Sequence, residues 1–141
     1  MSAKLDAFKQ RAAVHGQTLS VSAFVAWPTG TYVDDWSGEP DPDSATYPAT
    51  VPGPTFATAR TVNGFLQTNG KFREQYVRAP WGKDVQVDAV AYLPGDESVG
   101  LLDKITYAGG DYYVIMLADW RQRDDRIHWE VKLSRKIEYG G

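Results

Sequence analysis

The sequence predicts a mainly β fold: a small, partly open β-barrel of about six strands, with a short N-terminal helix and a long Pro-rich loop. Three observations predict it. Several apolar stretches alternate with period two, the pattern of strands with one buried face. Turn residues such as Pro94-Gly95-Asp96 and Gly109-Gly110 punctuate them. The chain has 141 residues and is 43% hydrophobic, so a single domain can bury a real core without staples.

Residues 3–14 read as the helix. Leu5, Phe8 and Ala12 fall on one face, Ser2 is placed to cap the start, and His15-Gly16 supplies the stop. So short a helix is marginal alone, so its stripe must pack on the barrel or on a neighbour. The first strand is 17–27, where Leu19, Val21 and Ala23 alternate with Thr18, Ser20 and Ser22. Strand 60–68 follows, with Gly64 marking a bulge or bend before the Asn69-Gly70 turn. In 85–93, Val85, Val87, Ala89, Ala91 and Leu93 share a face. Residues 101–107 and 111–118 form a hairpin about Gly109-Gly110. Residues 127–135 close the fold, with Ile127, Trp129, Val131 and Leu133 inward and His128, Glu130, Lys132 and Ser134 outward.

Two segments depart from this pattern. Residues 28–59 hold six of the eight prolines and five acids, with no Lys or Arg. Prolines remove ladder donors, and a patternless loop of this length is usually functional or disordered. Tyr32, Trp36, Tyr47 and Phe56 argue against plain disorder, because aromatics are depleted there. The expectation is an extended acidic arm, with Asp34, Asp35, Asp41 and Asp43 as charges, that orders against a partner. Residues 60–83 carry five basic residues against Glu74 alone, with Phe72, Tyr76 and Trp81 interleaved.

Composition narrows the function classes. With no cysteine there are no disulfides, thiolate metal sites or cysteine nucleophiles. No run approaches the ~18 apolar residues of a membrane span, and no apolar signal core follows Met1. The expectation is synthesis in the cytoplasm and no membrane role. No catalytic constellation, metal site or cofactor motif emerges. His15 reads as a helix cap and His128 as a solvated or interfacial side chain. Asp124-Asp125, flanked by Arg121, Arg123 and Arg126, reads as a salt-linked turn rather than a cation site. The net charge of −3 gives no global pull on nucleic acid. The 60–83 band has the basic-plus-aromatic pattern of a single-strand platform. A solvated loop or a charged subunit interface accounts for it better, and an acidic arm with a basic band suits copies of the same chain or a charge-patterned partner.

The order of four stretches resembles the head-completion proteins of tailed bacteriophages, also called stopper, head–tail connector or head-closure proteins. These are the helix end and first strand HGQTLSV (15–21), TVNGFLQT (61–68), VDAVAYLPGDESVGLLDKITYAGGDYYVI (87–115), and HWEVKLSR (128–135). The resemblance implies a small β-barrel with long loops and no catalytic residues, metal or cofactor. It implies a homo-oligomeric ring in the virion neck, assembled in the host cytoplasm. Portal or adaptor proteins would lie above it and tail proteins below. The ring would close the portal channel, retain packaged DNA without reading its sequence, and dock the tail. On that footing Tyr32, Asp34, Asp35, Trp36, Asp41, Asp43, Tyr47 and Phe56 are expected to line the channel or bridge subunits. Lys71, Arg73, Arg78, Trp81 and Lys83 are expected at a subunit or partner interface. The alternatives are a tail terminator or adaptor, and a barrel that binds single-stranded nucleic acid.

Overall fold

A computed structural model describes residues 3–27, 42–45, 54–68, 70, 75–80 and 82–137. The helix is α1 (Ala3–His15), and it buries Leu5, Phe8 and Ala12 as their spacing requires. Ser2 lies outside the described residues. Gly16 ends the helix, its N–H donating to the Ala12 carbonyl at 3.0 Å. A Cβ at Gly16 would run into the carbonyl oxygen of Gly64. This close approach lets the chain turn straight from the helix into the first strand.

Six antiparallel strands then form the barrel: β1 (Gln17–Ser22), β4 (Arg60–Gln67), β7 (Ala89–Pro94), β8 (Lys104–Tyr107), β9 (Gly110–Gln122) and β10 (Asp125–Ser134). Their order around the ring is β1-β4-β7-β10-β9-β8, and β1 pairs with β8 to complete it. The expected six-stranded barrel is present, and its ring is closed rather than partly open. Closure removes the exposed edges that an open sheet would have to protect.

A ring of six strands is narrow, so side chains fill it. Leu19, Val21, Leu93, Ile105, Val131 and Leu133 are each sealed from solvent in this interior. Each such burial is worth about 1.5–3 kcal/mol. Gly64 packs β4 tightly against β7. A Cβ there would lie 2.6 Å from the Tyr92 carbonyl oxygen and 2.9 Å from Leu93 Cδ2.

Among the described residues, two faces of the outer wall are covered. α1 lies on one, with Leu5, Phe8, Ala12 and Ile127 packed against Phe65 and Tyr92. The other carries a hairpin of β5 (Tyr76–Arg78) and β6 (Asp84–Gln86), which with its flanking residues buries Ala79, Val87, Val90 and Ile115 together. The sequence reading differs here. It joined Val85 and Val87 to the strand of Ala89, Ala91 and Leu93, and left 71–83 as a polar stretch. The strand breaks at Asp88, whose N–H donates to the Leu133 carbonyl and whose carboxylate accepts the Arg135 N–H. These bonds redirect the backbone, so Val85 and Val87 serve the outer cluster instead.

Two turns also differ. The β8–β9 turn is Ala108-Gly109, both left-handed (φ 52° and 78°), one place before the expected Gly109-Gly110. That backbone twist matches the twist of the flanking strands. β8 starts at Lys104 rather than Leu101, because Leu102 is left-handed (φ 72°). The buried Asp103 carboxylate then accepts the N–H groups of Phe24 (2.9 Å) and Gly100 (2.8 Å). Phe24 opens the short β2 (Phe24–Ala26), which pairs with β3 (Thr55–Phe56) at the two roots of the acidic segment.

Gly64→Ala is expected to destabilise the fold by about 1–3 kcal/mol through overpacking. Gly100→Ala, whose Cβ would meet nothing nearer than the Asp103 carboxylate at 3.9 Å, is expected to be close to neutral. Thermal melts of the two variants check the difference.

Candidate functional site: a cationic aromatic groove beside the helix

The β9–β10 hairpin outruns its neighbours. β9 pairs with β8 only through Tyr113, while β10 pairs with β7 only from His128 onward. Residues 119–126 therefore project as a two-stranded ribbon turning at Arg123-Asp124, with Arg123 left-handed (φ 59°). Asp119 holds this ribbon together, accepting from Arg121 at 2.8 Å and Arg126 at 3.1 Å. Those two bonds lower the Asp119 pKa from its usual value. The expected salt-linked turn thus draws its carboxylate from Asp119. Asp124 contributes its backbone carbonyl, which accepts from Arg121 at 3.5 Å.

Where the ribbon passes α1, an aromatic column forms. The His128 ring stacks on Phe8 at 5.3 Å and on Trp120 at 5.7 Å, with interplanar angles of 22° and 14°. Tyr92 meets His128 edge-on at 5.9 Å. Lys4 Nζ lies 5.7 Å from the Trp120 ring, and the Arg11 guanidinium 6.0 Å from the Phe8 ring. Such contacts are worth about 0.5–1 kcal/mol each at exposed sites. Trp120 remains 47% exposed.

A depression of about 330 Å³ lies over this column, lined by Lys4, Ala7, Arg11, Trp120, Ile127 and His128. It shares Ala7 and Arg11 with a second depression that reaches Val14 and His15. The helix periodicity explains the continuity: positions 4, 7, 11 and 14 recur along one face, beside the buried stripe of Leu5, Phe8 and Ala12. Val14 is 67% exposed. No carboxylate lines either depression, and neither Lys4 nor Arg11 makes an ion pair among the described residues. The groove is therefore apolar at its floor and cationic at its rim.

His128 reports on this field. Burial between the rings holds its pKa below the usual 6.5; Glu130 opposes the shift and Arg11 adds to it. The fold therefore favours neutral imidazole. The stability this contributes is present above pH 6.5 and is lost as the pH falls through the lower folded value.

Among the described residues, the expected site residues Phe56 and Arg78 lie on different two-stranded sheets. Phe56, at the root of the acidic segment, meets Phe24 and Tyr113 at 6.0 Å each, with Lys104 Nζ 4.8 Å from its ring. Phe24 in turn meets Trp27 at 5.4 Å, so the root is clamped to the barrel by aromatic contacts. Asp43 is exposed. Tyr32, Asp34, Asp35, Trp36, Asp41 and Tyr47 lie outside the described residues. In the basic band, Arg78 is ion-paired to Asp84 at 3.2 Å across the β5–β6 hairpin, and Lys83 is exposed beside it. Arg60 sits on a barrel strand with Glu97 at 3.5 Å. Lys71, Arg73 and Trp81 lie outside the described residues. Sequence reasoning missed the groove. The available signals were the spacing of Lys4, Ala7, Arg11 and Val14, and a tryptophan set among charges in ADWRQRDD.

No protein-family model matches the sequence, and comparison with curated proteins finds no match. Among solved structures, the chain is similar to protein xkdH of the phage-like element PBSX from Bacillus subtilis. The identity is 16% and the TM-score 0.34, over 82% of this chain and 90% of that one.

Arg11→Ala is expected to raise the His128 pKa, and Glu130→Gln to lower it. A proton NMR titration of the imidazole checks both. An unchanged or falling value in Arg11→Ala contradicts the account of the groove's field.

Proposed function

We propose that this chain is a non-enzymatic structural protein of a tailed-phage virion. In this reading it forms a ring at the head–tail neck that closes the portal channel, retains packaged DNA and docks the tail. One observation carries the reading. The four stretches that resemble head-completion proteins supply parts of all six strands of the closed ring: 15–21 reaches β1, 61–68 is β4, 87–115 runs through β7, β8 and into β9, and 128–135 is β10. The resemblance therefore falls on one physical object rather than on scattered pieces.

The distribution of chemistry supports it. The barrel interior is filled mainly with aliphatic side chains, joined by Tyr112 and Trp129, while Lys4, Arg11 and Trp120 sit on the outer wall and the projecting ribbon. Exposed aromatic rings and arginines are the residues that dominate protein–protein contacts. The single-strand-binding alternative has less behind it, because Asp84 engages Arg78 and Glu97 engages Arg60.

Deleting the reading frame from the genome that encodes it is expected to leave tailless heads that have lost their DNA. Electron microscopy of lysates checks this. Full heads with tails attached in the deletion overturn the neck assignment. Empty tailless heads that a supplied copy of the chain restores to full, tailed particles support it.

A further inference from the structure

We infer that the groove between α1 and the β9–β10 ribbon receives the acidic stretch 31–43 of a second copy of this chain. The inference rests on reading the chain as one that assembles with itself.

Charge and apolar character match on the two sides. The rim offers Lys4 and Arg11, and no carboxylate lines the groove. The stretch TYVDDWSGEPDPD carries Asp34, Asp35, Glu39, Asp41 and Asp43 with no base, and places Trp36 directly beside the first acidic pair. An aromatic ring flanked by carboxylates suits a floor of Trp120 and His128 rimmed by cations. Bound carboxylates would also offset the like-charge effect of Arg11 on His128.

The acidic segment leaves the barrel at β2 and returns at β3, beside Tyr113. Trp120 lies seven residues along β9 from Tyr113, about 23 Å at the strand rise. Trp36 is ten residues past Ala26, which reaches about 35 Å when fully extended. The segment is therefore long enough to leave its own barrel, and on the reading of a self-assembling chain it enters a neighbour's groove rather than its own. Groove and acidic stretch are different surfaces of one chain, so the contact is head-to-tail, and repetition closes a ring when the rotation between copies allows it.

Sedimentation velocity on the full chain tests this with two charge-reversed variants. Lys4→Glu/Arg11→Glu reverses the groove and Asp34→Lys/Asp35→Lys reverses the segment. Lys4 and Arg11 are exposed, so reversing them leaves the fold in place, and a melting curve checks each variant. The wild type is expected to associate as concentration rises. Each variant alone is expected to lose association on the order of a hundredfold, because like charges then meet. An equimolar mixture is expected to regain it, since each variant's groove opposes the other's segment. A wild type that stays monomeric up to its solubility limit overturns the inference. So do variants that associate like the wild type, or a mixture no better than its parts. Neck rings that form unchanged from Lys4→Glu/Arg11→Glu copies overturn this contact alone and leave the proposed function standing.

Discussion

Everything in this fold hangs on β1 pairing on both of its edges. Val21 faces Arg60 of β4 on one side and Ile105 of β8 on the other, and Ser20 likewise faces Thr61 and Thr106. Six residues thus convert a curved sheet into a ring and bury Leu19 and Val21 completely. Gln17 extends the ladder with its side chain, accepting from the Leu66 N–H at 2.9 Å and donating to the Leu66 carbonyl at 3.0 Å. Without β1, β4 and β8 would become open edges and the narrow interior would lose its closing wall. Because α1 runs into β1 through Gly16 alone, the register of β1 also sets where the helix lies.

That coupling makes the groove a consequence of closure. The helix is held over β4, β7 and β10 by its buried stripe, and Lys9 ties it to Asp96 in the β7–β8 connection at 2.7 Å. The same connection is fixed by Trp129, whose indole N–H donates to the Glu97 carbonyl, and by Arg60, which reaches Glu97 and Ser98. A bulge between Arg126 and His128 turns Ile127 under the helix and leaves the His128 ring between Phe8 and Trp120. The interior supplies stability, while the irregular places on the wall, the bulge and the ribbon, present the exposed aromatic and charged groups. The proposed assembly role needs this division, since the core must stay rigid while the outer surface meets partners.

Much of this was legible in the sequence where one periodicity governed one burial face. Leu5, Phe8 and Ala12 announced the helix, and Leu19 with Val21 and Val131 with Leu133 announced two barrel walls. The reading failed where a side chain overrode the pattern. Asp88 diverted its backbone and sent Val85 and Val87 to a second cluster, and a left-handed Leu102 delayed β8. Closure rested on β1 meeting strands distant in sequence on both sides, which alternation within β1 does not reveal. The groove stayed hidden for a related reason. His128 and Trp120 come from adjacent strands and Phe8 from the helix, so their stacking depends on the tertiary register.

The central claim is that a closed, solidly filled barrel serves as a ring subunit and meets its neighbours through its outer wall. A cryo-electron microscopy reconstruction of the neck of intact particles tests it most directly. The account predicts a ring of six-stranded barrels around the DNA channel, with the α1 and β9–β10 side of each barrel turned to the adjacent copy. A neck without this chain, or barrels whose α1 side faces open solvent, would contradict it.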